Sequence, residues 1–206
     1  MDTIAQKYLT CLKDAYYEQH AGKEWEDFEK VVHGVSGEDL KALRKMYPDI
    51  PESLVQLLEF ADGTYWREYA GEKVAFYFLG SELEEYPYYL LSARQMMDTD
   101  DFSWLEEYID RVYDDLEIDD RIINDSSKMC WLHFSDCMNN GGSSQLFIDF
   151  SPSDSGVKGQ VVMYVHDPDE LTVIADSFDE YLEMLIESGC DFINEDDFGE
   201  DADDDE

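Results

Sequence analysis

Basic residues are scarce: 14 Lys and Arg stand against 51 Asp and Glu, a formal net charge of -37 over 206 residues. A nucleic-acid surface neutralises phosphates with clustered Lys and Arg, so this composition excludes DNA or RNA binding by bulk electrostatics and disfavours an anionic membrane. Cysteine is also sparse. Cys11, Cys130, Cys137 and Cys190 lack the dense spacing of a small secreted disulfide framework, which points to a reducing, cytoplasmic setting. No run approaches ~18 consecutive apolar residues, the length a membrane-spanning helix needs, and Met1 to Ala15 lack the basic and apolar regions of a secretory leader. What the chain has in quantity is aromatic surface, with 14 Tyr, 11 Phe and 4 Trp. That is far more than a disordered acidic chain carries, so the charge decorates a packed core.

The patterning predicts helices first. Ile4, Tyr8, Leu12 and Ala15 share one helical face, and Trp25, Phe28, Val31 and Val32 form a second stripe after the break near Gly22. Ser36 with Asp39 opens a third helix through Leu40, Leu43, Met46 and Tyr47, and Asp49-Ile50-Pro51-Glu52 opens a fourth through Leu54, Leu57, Leu58 and Ala61, ended by Asp62-Gly63. Short β-branched and aromatic runs follow: Val74–Leu79, Tyr88–Leu91, Trp131–Phe134, Leu146–Phe150 and Val161–Val165. A helix is predicted over Ser103–Leu116 from a Ser103/Glu106 capping box and an apolar face of Leu105, Tyr108, Ile109, Val112 and Leu116. A closing helix runs from the Ser177/Glu180 box to Gly189.

This order lacks the alternation that builds a parallel α/β sheet. It predicts an α+β fold with a mostly antiparallel sheet, N-terminal helices, one helical insertion and a closing C-terminal helix. Residues 1–35 read as an N-terminal helical extension. Residues 190–206 read as a disordered acidic tail, since Asp191–Glu206 holds ten acids, no base and only Phe192, Ile193 and Phe198 to bury. Without those ten acids the body still carries -27, so acidity belongs to the domain.

Chemistry finds little support. Cys130, His133, Asp136 and Cys137 have zinc-ligand types, but on a regular strand Cys130 and His133 face opposite ways and the cysteine spacing is not that of a zinc knuckle. His166-Asp167 precedes Pro168 and reads as a turn. Asp119, Asp120 and Asp125 lack EF-hand spacing. No nucleophile elbow, phosphate loop, zincin or dinucleotide fingerprint occurs, and Asn139-Asn140-Gly141-Gly142-Ser143-Ser144 reads as a hairpin loop. Neither a catalytic residue, a cofactor nor a metal is therefore assigned. The stretch Asp98–Asp125, with twelve acids against Arg111 and Arg121 and with Phe102 and Trp104, suits an anionic contact surface.

A family resemblance joins these pieces. Ile50-Pro51-Glu52-Ser53-Leu54 with Leu57-Leu58-Glu59-Phe60-Ala61-Asp62-Gly63 resembles the opening of the SUKH superfamily, which includes Syd-type proteins and the Smi/Knr-type fungal cell-wall regulators. Trp131-Leu132-His133-Phe134, Gly141-Gly142, Leu146-Phe147-Ile148-Asp149-Phe150, Pro152, Gly156, Gly159-Gln160-Val161-Val162 and Ala175-Asp176-Ser177-Phe178-Asp179-Glu180-Tyr181-Leu182 resemble the rest of its succession. The likeness covers residues 36–189. The chain departs from the pattern at Asp62-Gly63-Thr64, where Asn-Gly-Gly is common, and at His133, where Pro usually follows the Trp.

The resemblance implies a non-catalytic α+β protein. Bacterial members act mostly as immunity proteins that bind and neutralise toxin domains, often nucleases or deaminases. A basic cognate toxin in the cytoplasm is the expected partner, without nucleic acid or membrane. The alternative is a regulatory scaffold like the eukaryotic relatives, with the acidic tail as an interaction arm. The expected contact residues are exposed loop positions Asp62, Tyr65, Trp66, Asp100, Asp101, Asn139, Asn140 and Asp154.

Overall fold

The computed structural model describes residues 2–69, 71–81, 87–98, 103–113, 116–138, 144–166, 169–194 and 198. In chain order they form α1 (Ile4–Glu18), α2 (Gly22–Val31), α3 (Gly37–Met46), α4 (Glu52–Phe60), β1 (Arg67–Tyr69), β2 (Glu72–Val74), β3 (Tyr88–Leu90), α5 (Ala93–Met97), α6 (Ser103–Ile109), β4 (Glu117–Ile118), β5 (Trp131–Cys137), β6 (Ser144–Asp149), β7 (Gln160–Val165), β8 (Glu170–Ala175) and α7 (Phe178–Glu187). Side-chain oxygens satisfy first-turn amides that would otherwise lack partners. Thr3 Oγ1 accepts from Gln6 N at 3.3 Å, Ser36 Oγ from Asp39 N at 3.0 Å, Ser92 Oγ from Gln95 N at 3.3 Å and Ser177 Oγ from Glu180 N at 3.1 Å. At α7 the reciprocal arm of the box is displaced by one residue, because Glu180 accepts from Asp176 N.

A six-stranded sheet in the order β3-β5-β6-β7-β8-β4 forms the centre; its pairs are antiparallel except β4–β8, and β1–β2 make a separate hairpin. The expected α+β architecture with a mostly antiparallel sheet is thus observed. Both sheet faces are covered, which explains why β5–β7 read as near-continuous apolar runs rather than alternating ones. Leu146, Ile148, Val161 and Met163 enter the larger core under α1, α4 and α7, while Phe147, Val162 and Tyr164 join Leu105 and Ile109 of α6 on the other face. The N-terminal helices share the larger core: Tyr16 and Phe28 stack on Phe76 with centroids 4.6 and 4.0 Å away, and Trp25 is buried beside them.

Four sequence expectations change. Val74–Leu79 is not a ladder strand; beyond β2 it makes one isolated bridge, Leu79 to Tyr88. Two of its carbonyls are taken by tyrosine hydroxyls instead, Tyr16 donating to Tyr77 and Tyr8 to Phe78, and Tyr181 donates to the next residue, Gly80. The inserted helix ends at Ile109, not Leu116, because Arg111 adopts φ +56 and its guanidinium binds the carbonyls of Ile109, Ile122 and Ile123. Val112, assigned to the apolar face, is exposed. Of the expected disordered tail, Cys190, Phe192 and Ile193 are instead buried and Phe198 packs on Tyr16, because these apolar side chains fill the end of the larger core. Residues 195–197 and 199–206 lie outside the described residues. Finally, α5 and β8 were not predicted, although Ser92-x-x-Gln95 is a capping signature and Glu170–Ala175 alternates in burial.

Candidate partner-binding surface

The end of α4 sets the geometry of Trp66, the most exposed aromatic among the described residues. Asp62 follows the helix, and far from being an exposed loop residue it is 3% accessible. One carboxylate oxygen accepts from Ala93 N at 3.0 Å at the start of α5, and the other from the Arg67 guanidinium at 2.8 Å, whose Nε also donates to the Asp62 carbonyl at 2.7 Å. Gly63 has φ +83, and a Cβ there would fall 2.5 Å from Ser92 N, so only glycine permits this approach. Thr64 then clamps β3 by exchanging bonds with Leu90, its amide donating to the carbonyl at 2.7 Å and its Oγ1 accepting from the amide at 3.0 Å. The Asp-Gly-Thr turn is a structural joint that ties α4, β3 and α5 together.

That joint presents the next two residues. Tyr65 is half-buried, its ring 4.9 Å from Tyr89 and its carbonyl bound by Gln95 Nε2 at 3.3 Å. Trp66 is 61% exposed and holds φ +51, an uncommon backbone state for a bulky side chain. Strain of this kind persists where surrounding structure over-determines it. Here the paired Arg67, the stacked Tyr65 and the β1–β2 hairpin fix both flanks. A rigidly mounted, solvated Trp is the type of anchor that protein interfaces use.

Asp154 is exposed elsewhere, on the rim of an open groove of about 620 Å³ lined also by Arg111, Ile118, Asp120, Lys128 and Ser153. The groove shares no lining residue with the Tyr65–Trp66 turn. Asp100, Asp101, Asn139 and Asn140 lie outside the described residues. Of the expected contact positions, the structure therefore unites Tyr65 and Trp66, makes Asp62 their buried support and separates Asp154.

The motif residues downstream are likewise structural. Asp149 is fully buried; its carboxylate accepts from Ser151 N at 2.7 Å, Ser151 Oγ and Gln160 Nε2, and burial raises its pKa despite these donors. Gln160 also accepts from Val157 N, and Gly156 passes so near the Arg121 carbonyl that a Cβ would lie 2.5 Å away. Together they latch the β6–β7 connection. Sequence reasoning found these residues as a motif but could not see that their polar groups face one another.

Candidate reactive clusters are internally paired. A bulge between His133 and Ser135 brings His133 and Asp136 to one face, 2.9 Å apart, with the imidazole stacked on Phe147. Asp119 is held below the usual carboxylate range, chiefly by the Arg121 guanidinium, and Asp125 by Lys128 and Ser127. Burial pushes the Asp169 carboxyl up, yet donors from His166, Tyr108 and Tyr164 outweigh it and leave it lowered. Among the described residues no group of three or more His, Cys, Asp or Glu could hold a metal ion, and no helix is long and apolar enough to cross a membrane.

No curated protein matches the chain. The model of the SMI1 / KNR4 family (SUKH-1) matches residues 34–184, from the turn before α3 into α7. That span is most of the 206 residues and contains the whole six-stranded sheet, the Asp62-Gly63 joint and the Asp149–Gln160 latch. On this match the chain belongs to the SMI1 / KNR4 (SUKH-1) family.

Proposed function

We propose that this protein is a non-catalytic cytoplasmic binding protein that neutralises a cognate basic toxin, of nuclease or deaminase type, by direct contact. The observation that carries the reading is the acidity of a chain built on a SUKH-1 domain, -37 overall and still -27 without the ten acids of Asp191–Glu206. A nuclease site is basic because it binds phosphates, so an acidic inhibitor carries the opposite, complementary charge and meets it at a high association rate. Trp66, held at φ +51 and 61% exposed, supplies an apolar anchor.

The test is co-expression with the products of adjacent open reading frames, read by cell survival and co-purification. Rescue with a stable complex, whose association rate falls at least tenfold between low and high salt, is the expected result. The acidic C-terminal run favours a second reading, a regulatory scaffold with an interaction arm. Survival unaffected by every neighbour, with no complex formed, would transfer the assignment to it.

A further inference from the structure

The four cysteines divide into unlike sets. Cys130 is exposed and Cys137 is buried in β5, whereas Cys11 on α1 and Cys190 just beyond α7 have their sulfurs 3.3 Å apart across 179 positions of sequence. α1 packs along α7, and the chain then turns back through Gly189 at φ +73 and Cys190 at φ +54, which buries Cys190 completely. The Cys190 amide is held by the Leu185 carbonyl at 2.8 Å. The Cys190 thiol donates toward Cys11 Sγ, and Cys11 Sγ lies 3.9 Å from the Ile186 carbonyl. Half-buried Cys11 lines an open groove of about 440 Å³ together with Lys7, Thr10, Asp14, Ala15 and Gly189, a path for a small oxidant from solvent.

We propose that Cys11 and Cys190 form a reversible, hydroperoxide-driven disulfide that ties the N-terminal helix to the start of the acidic C-terminal run. Cys11, the accessible member and the acceptor of the Cys190 thiol, reacts first as thiolate. Its sulfur attacks one peroxide oxygen, the S–O bond forms as the O–O bond breaks, and the departing hydroxide takes a proton to become water. Burial pushes the Cys190 thiol far up, so it waits protonated until the sulfenic acid has formed beside it. Cys190 then gives up its proton and attacks Cys11 Sγ; the S–S bond forms, the S–O bond breaks and a second water leaves. The two sulfurs lose two electrons and the peroxide gains them. The sulfurs close from 3.3 Å to about 2.0 Å, a small movement for side chains on two packed segments.

Treatment of the full-length protein with hydrogen peroxide, followed by non-reducing digestion and mass spectrometry, tests this. The expected product is a Cys11–Cys190 linked peptide lighter by two hydrogens, formed faster than any oxidation at exposed Cys130. Thermal unfolding rises by about 5–15 °C, and dithiothreitol reverses both changes. In C190S, Cys11 stops at the sulfenic acid and is trapped by dimedone; in C11S, Cys190 stays unmodified. Circular dichroism establishes that each variant is folded, and the wild-type mass spectrum and melt decide the matter if either is not. Native protein that keeps both thiols while Cys130 oxidises would overturn the proposal.

Discussion

Replacing Asp62 separates a structural joint from a contact residue. In Asp62→Ala the Ala93 amide, in a residue with no accessible surface, loses its acceptor, a cost of about 1–3 kcal/mol. Arg67 loses its carboxylate partner as well. Breaking a fully buried pair costs about 3–5 kcal/mol, but the Arg67 side chain is 26% exposed and retains its bond to the Asp62 carbonyl, so water recovers much of that loss. The combined effect is a destabilisation of about 2–4 kcal/mol, which at this chain length lowers the melting temperature by about 5–15 °C. Asp62→Asn preserves an acceptor for Ala93 while discarding the charge, and loses about 1–2 kcal/mol. Urea unfolding measures both, with an unchanged m-value as the check that the unfolded state is the same. A loss below about 0.5 kcal/mol in the alanine variant, accompanied by loss of partner binding, would refute the reasoning and make Asp62 a direct contact.

Other outcomes follow from the same geometry. Trp66→Ala, at a 61% exposed position, changes stability by no more than about 0.5 kcal/mol while weakening partner affinity by about 30-fold or more, measured by calorimetry on the purified complex. Gly63→Ala loses about 3 kcal/mol or more in denaturant titration, since φ +83 is unfavourable for alanine and the new Cβ meets backbone at 2.5 Å. Asp149 has a raised folded-state pKa, so the folded protein binds its proton more tightly than the unfolded chain does. The stability that this protonation gives is present below the ordinary aspartate pKa and is lost as pH rises through the folded value. The stability of Asp149→Asn relative to wild type therefore improves as pH climbs through that window, as unfolding at a series of pH values will register. Asp119 and Asp169 have lowered values and behave oppositely; their contribution is present above the ordinary carboxylate pKa and is lost on acidification through their folded values.

Where information was local, the sequence carried it. The helix at Ser36 was legible because a cap and an apolar stripe lie within a few positions, and Gly189 marked the end of α7 because a left-handed stop favours glycine. The runs in β5, β6 and β7 announced a sheet by their β-branched and aromatic content. Tertiary structure decided what depends on distant partners. Val74–Leu79 has strand composition, yet hydroxyls from Tyr8 and Tyr16 take carbonyls a neighbouring strand would have used. Asp62 reads as a turn residue, but it is buried because Ala93 and Arg67 converge on it. His133 and Asp136 share a face only because β5 bulges, and Cys11 meets Cys190 only because α1 packs along α7. Spacing encodes neighbours within a turn or a pleat; contacts across tens of residues arise when the core closes, and those contacts left Trp66 exposed and buried Asp62 beneath its turn.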